Sequence, residues 1–190
     1  MAKQRQPEAL QDTSDLIQMM ILTAGAYSLV WFWRSWWIVK DALGLKVSPG
    51  WRAVFINFNI HTLARDINWL LDRVKKRPAL QPYILLMAMW VSVILRSYGT
   101  EPGKGGRNYW YLLVVAVLTV ALITAVMVVM QKSLNRYLQK APERSPIKRN
   151  DIIYILMIVS TVSGWLTLLT YLYAAISGTD PLGTSSLFTY

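Results

Sequence analysis

This 190-residue chain is 54% hydrophobic and only 16% charged, whereas a soluble domain carries about a quarter charged residues. Its formal net charge of +10 does not point to nucleic acid, because the cations sit beside long apolar runs, where anionic lipid headgroups are the nearest counter-charge. The absence of cysteine excludes disulfides, thiol nucleophiles and thiolate metal sites.

The composition reads as one integral membrane domain, residues 1–190, of all-α class. The polar start, Met1 to Asp15, lacks the features of a signal peptide, so the first apolar run is expected to be retained. That run gives a first span over about 16–39, with Thr13, Ser14 and Asp15 as N-cap candidates. A short second span follows at about 82–96. The third, about 109–130, contains no charge. The fourth runs over about 152–176, with Asn150 as N-cap and Gly178 just past its end.

Lysine and arginine alternate with these spans. Nine fall in the first connection, counted from Arg34, and six in the third, against two in the N-terminal tail, three in the second connection and none after Ile176. The positive-inside bias then places connections one and three in the cytoplasm and both termini outside. The basic residues expected to meet anionic phospholipid include Lys40, Lys46, Arg52, Arg73, Lys75, Lys76, Arg77, Lys132, Arg136 and Lys140.

The first connection holds its own helix. Ser48-Pro49 is a helix start, with Ser as N-cap and Pro at the first helical position. Ile56, Ile60, Leu63, Ile67, Leu70, Leu71 and Val74 then form one apolar stripe. The expected element is an amphipathic helix over about 51–76, lying in the cytoplasmic interface with this stripe towards lipid. The rival is a fifth crossing, which would put His61, Arg65 and Asp66 in or near hydrocarbon at a cost of a few kcal/mol each. The glycine-rich turn at 101–107 lacks phosphate-loop spacing and reads as a linker.

Chemistry-bearing candidates are few. Trp31, Trp33, Trp36 and Trp37 surround Arg34, and Trp51 and Trp69 follow. Such a cluster reads as an aromatic belt at the headgroups. The alternatives are a flat slot for a lipid, quinone or pigment ring and a docking surface for a partner through exposed Trp; Arg34 is at helical spacing to stack on Trp31 or Trp37. His61 is the only histidine. It rules out a two-histidine haem site within the chain and leaves single axial ligation of a tetrapyrrole as the one cofactor arrangement open to it; no cofactor is expected. His61, Arg65, Asp66 and Asp72 resemble an acid–base group, yet their spacing is also what an amphipathic helix needs. None of the ten acidic residues falls inside an expected span, which argues against proton or cation transport. Ala121 with Ala125, and Ser160 with Gly164, make small-x-x-x-small pairs suited to close helix packing.

The segments Tyr27-Ser-Leu-Val-Trp-Phe-Trp-Arg-Ser-Trp36 and Val47-Ser-Pro-Gly-Trp-Arg-Ala-Val-Phe55 resemble a group of uncharacterised bacterial inner-membrane proteins. These carry Tyr-x-x-Trp-Phe-x-Arg/Lys-x-Trp followed by Ser-Pro-x-Trp-Arg-Ala-x-Phe. The likeness extends over about Tyr27 to Arg73, and Gly50 stands where the group often has an aromatic residue. It implies a bacterial cytoplasmic membrane and a helix start at Ser48, and it implies no activity.

The expected architecture is therefore four transmembrane helices plus one interfacial helix. The expected role is non-catalytic: an accessory, assembly or structural subunit that contacts other integral membrane proteins and anionic phospholipid. A ligand-binding module for quinone, lipid or tetrapyrrole is the first alternative, and a lipid-acting enzyme at the inner interface the second.

Overall fold

The computed structural model describes residues 11–75, 109–140 and 151–177, together with Met87, Trp90, Val91 and Ile94. Among these residues the only regular structure is helix. Helix α1 spans Thr13–Leu22. Its N-cap is Asp12, one position before the expected candidates, and the Asp12 carboxylate accepts the Ser14 N–H at 3.1 Å. That bond, together with the nearby Ser14 hydroxyl, holds the Asp12 carboxyl below its ordinary pKa.

The expected first span is not one helix. The chain breaks at 23–26 and resumes as α2, Tyr27–Leu43. The break is a Schellman turn. Gly25 N–H reaches back to the Met20 carbonyl at 2.8 Å and Ala24 N–H to that of Ile21 at 3.1 Å. Ala24 occupies the left-handed position at φ 48°, and Gly25 follows at φ 89°. Helix α2 ends at Gly44, at φ 65°.

The expected 51–76 helix is also two elements. Helix α3, Pro49–Val54, starts at Ser48 with Pro in the first turn, as the sequence indicates. Helix α4, Ile56–Arg73, begins after a bend at Phe55, φ −94° and ψ 47°. Helix α5 covers Tyr109–Leu138 and α6 covers Asp151–Ser177. These two are long and apolar enough to cross a membrane. The expected span at 82–96 lies outside the described residues apart from Met87, Trp90, Val91 and Ile94, which are helical and exposed. Asn150 and Gly178 also lie outside them.

One apolar core joins α1, α2, α4 and the second half of α5. Leu16, Met20, Trp31, Trp36, Leu63, Ile67, Met127 and Met130 meet there. The stripe of α4 is part of it: Ile60, Leu63, Ile67, Leu70 and Leu71 are at most 1% exposed. That face packs on protein and does not lie towards lipid. The reason is competition for the same surface: α2 and α5 present enough complementary apolar area to cover the stripe. Arg73 fixes the far end of α4 by donating to the Ala42 carbonyl at the end of α2, at 3.3 Å.

A smaller cluster joins α5 to α6 at the other end of the bundle, where Tyr109 and Leu112 pack on Ala174. Between the two ends, the turn connecting α1 and α2 stands between α5 and α6. A Cβ on Gly25 would lie 3.3 Å from the Val120 methyl on α5, and one on Gly164 of α6 would lie 3.3 Å from the Ala24 Cβ.

Candidate functional site

The α1–α2 hairpin is positioned by a chain of polar contacts at its open end. Asn135, near the end of α5, donates to the Gln11 carbonyl at 2.9 Å. The Gln131 side chain donates to Asn135 at 2.6 Å and accepts the Trp31 indole N–H at 2.6 Å. Gln11 also donates to the Tyr27 hydroxyl at 2.9 Å. Thus the start of α1 and Trp31, in the second turn of α2, are both tied to the 131–135 region of α5. The turn between them lies at Val120, about 16 Å further along that helix at 1.5 Å per residue.

This arrangement leaves two cavities with different linings. Between the arms is an open cleft of about 370 Å³, lined by Gln11, Asp15, Gln18 and Met19 of one side and Tyr27 and Arg34 of the other. Its lining is mixed: Asp15 and Gln18 share one face of α1 with Leu22 at helical spacings, Met19 stands beside them, and Tyr27 and Arg34 stand opposite. Outside the arms is an open groove of about 1010 Å³, bounded by the turn, by α5 from Ala116 to Val128, and by α6 from Val159 to Leu168. Among the described residues, no charged side chain lines it. Thr124 and Thr167, on its wall, each donate to the main chain of their own helix, at 2.7 and 2.8 Å, so those hydroxyls are satisfied internally.

Both small-residue pairs of the sequence line this groove: Ala121 and Ala125 from α5, Ser160 and Gly164 from α6. At this level the turn wedges against both helices, Gly25 close to Val120 of α5 and Ala24 close to Gly164 of α6.

The main chain of the break is held by hydrogen bonds. Thr23 N–H bonds to Met19 O, Ala26 N–H to Thr23 O, Tyr27 N–H to the Thr23 hydroxyl, Ser28 N–H to Gly25 O and Leu29 N–H to Ala26 O. With the Schellman pair, every N–H from Thr23 to Leu29 has an acceptor. The Leu22 carbonyl is taken by the indole N–H of Trp165, at 2.9 Å. The Ile21, Thr23, Gly25 and Ala26 carbonyls accept main-chain N–H groups of the turn and of the start of α2.

The tryptophans singled out in the sequence separate into two sets. Trp31, Trp33 and Trp36 are buried in the core, and Trp37 is half-buried. Trp33 packs edge-on against Tyr154 of α6, and Arg52 lies over the Trp36 ring at 4.2 Å, with Lys40 over Trp37 at 5.5 Å. Trp51 and Trp69 are exposed. Phe55 stacks on Trp51 and Phe58 lies edge-on to Trp90, and these rings are exposed as well. Of the ligand-binding candidates, Arg34 alone lines either cavity.

His61 is half-buried. Its Nε2 pairs with the Thr62 hydroxyl at 3.2 Å, and its Nδ1 is buried with no partner among the described residues. Arg65 and Asp66 form an ion pair with each other at 3.2 Å, and Asp72 is exposed. Among the described residues no group of three metal-ligating side chains occurs. Of the basic residues, Lys46, Arg73, Lys75, Lys132, Arg136 and Lys140 are exposed and Lys40 and Arg52 half-buried, while Lys76 and Arg77 lie outside the described residues.

Comparison with protein-family models, curated proteins and solved structures found no match. Sequence reasoning did not find the groove as a cavity. The signal was there in the two small-residue pairs, but small residues at that spacing also serve direct helix contact.

Proposed function

We propose that this is a non-catalytic, multi-pass protein of a bacterial cytoplasmic membrane, an accessory or assembly component whose lateral groove receives a transmembrane helix of a partner protein. One observation carries the reading. Ala121, Ala125 and Ser160 stand on the wall of an open groove, and small residues let a second backbone approach closely where burial alone gives no drive within lipid. The exposed rings of Trp51, Phe55 and Phe58, beside Arg52, support anchoring at anionic headgroups, at about 1 kcal/mol per nearby cation.

The groove's volume also supports a second reading, in which it holds the hydrocarbon tail of a lipid or quinone. About 1010 Å³ is at the upper end of small-molecule sites, which span roughly 300–1,000 Å³.

Photo-crosslinking from native membranes tests both. A benzophenone amino acid replaces Val117 or Leu168 in the groove, with Ile155, on α6 outside the groove, as control. A discrete protein adduct from the groove positions alone is the expected result. Lipid or quinone adducts alone would replace the first reading by the second. Equal crosslinking from Ile155 would remove both.

A further inference from the structure

We infer that α1 and α2 form a re-entrant hairpin, which enters the membrane from the basic face, turns at mid-depth and returns to the same face. The chain's N-terminus then lies on the basic side, and a polar cleft open to water runs inward between the arms. This does not depend on what fills the groove.

Depth comes first. The apolar part of α5 ends near Met130, and Val120, which faces the turn, lies about 15 Å further in. That is half of a hydrocarbon core of about 30 Å. Gly164, the contact on α6, stands at the middle of its 27-residue helix. The ten residues of α1 reach about 15 Å, enough for one leaflet and too few for two.

Satisfaction of the backbone comes second. Irregular main chain at membrane depth is tolerated only where protein or a water-filled cavity meets its polar groups. The Thr23–Leu29 N–H groups all have acceptors, and α6 supplies Trp165 to the Leu22 carbonyl. A bond from a side chain 143 positions away is what a break in hydrocarbon requires and what a break in water does not.

Polarity comes third. Gln11, Asp15, Gln18 and Arg34 line the space between the arms, whereas Ile17 and Ile21 line the groove outside them. On the cleft side the polar side chains reach Gln18, with Met19 and Leu22 beyond, so α1 shows a polar face to one side and an apolar face to the other over its outer part, about 10 Å from Gln11 to Gln18.

Charge agrees. On the spans expected from the sequence, moving the N-terminal tail to the basic side adds Lys3 and Arg5 to the cytoplasmic count and leaves three of the twenty cations in the one opposite connection. That bias is stronger than the one given by four crossings and external termini.

The chain has no cysteine, so single-cysteine variants at exposed positions test the inference in intact membranes. Asp12→Cys, Lys46→Cys, Lys140→Cys and Ser177→Cys are treated with a membrane-impermeant maleimide from each side. The expected result is reaction of the first three from one side and of Ser177→Cys from the other. Reaction of Asp12→Cys from the Ser177 side would overturn the hairpin. Gln18→Cys is expected to react from the basic side at least ten times faster than Ile17→Cys, and equal rates would overturn the water-filled cleft.

Discussion

The indole N–H of Trp165 on α6 donates to the main-chain carbonyl of Leu22 at 2.9 Å, so a helix late in the chain completes the end of the first. The bond has two consequences. It removes an unpaired acceptor from the break, and it fixes the α1–α2 turn against the middle of α6. Trp165→Phe keeps most of the ring and deletes the donor. It is expected to lower stability by about 1 kcal/mol, measured by denaturant titration in bicelles. No change would mean the carbonyl finds another donor.

The turn supplies a prediction with opposite signs at adjacent residues. Ala24 sits at φ 48° with its Cβ close to Gly164. Ala24→Gly removes a strained left-handed alanine and is expected to stabilise by about 0.5 kcal/mol, after the entropy cost of glycine. Gly25→Ala forces a side chain into φ 89° and against Val120. It is expected to destabilise by about 1–2 kcal/mol. Thermal unfolding of the two variants in one detergent gives the comparison.

The buried bond between Trp31 and Gln131 predicts non-additive behaviour. Gln131→Leu leaves the indole N–H and the Asn135 side chain short of a partner, at a cost of about 1–3 kcal/mol. Adding Trp31→Phe removes the orphaned donor, so the double variant is expected to be less destabilised than the sum of the single changes. Additive losses would show that the two side chains act independently.

Asp12 sets the pH dependence of the first turn. Its pKa is lowered in the folded chain, so the cap contributes fully above the unfolded value and its contribution is lost as pH falls through the lower, folded one. The Ser14 amide shift, followed by NMR from neutral to acid pH, is expected to move with that lower midpoint. Asp12→Ala is expected to abolish the transition and speed Ser14 amide exchange.

Helices α5 and α6 were legible in the sequence because each is an unbroken apolar run longer than a bilayer needs, and the Ser48-Pro49 start carried its own chemistry. The hairpin was not legible in the same way. Thr23-Ala24-Gly25-Ala26 continues the hydropathy of its neighbours, and the left-handed residue is an alanine, which gives no warning. The information lay in Gln18 and Arg34, polar residues whose partner surface is the other arm. The stripe of α4 was read correctly as one face, but its covering could not be: amphipathicity shows that a face needs burial, and the choice between lipid and protein is made by α2 and α5. The tryptophans divided for a similar reason. Trp31 is interior because Gln131, a hundred positions on, accepts its N–H, whereas Trp51 and Trp69 have no apolar layer over them. As for the candidate site, its small residues were visible and its existence as a groove was not, since that depends on the wedge.

The most direct measurement is a pair of inter-spin distances in lipid nanodiscs. One label at Asp12 is combined with a second at Arg136 or at Trp110, positions about 39 Å apart along α5. A hairpin that turns back at Val120 puts Asp12 beside Arg136 and far from Trp110. A shorter distance from Asp12 to Trp110 than to Arg136 would show that the first helical segment crosses the membrane, and would contradict the hairpin, the cleft and the wedge together.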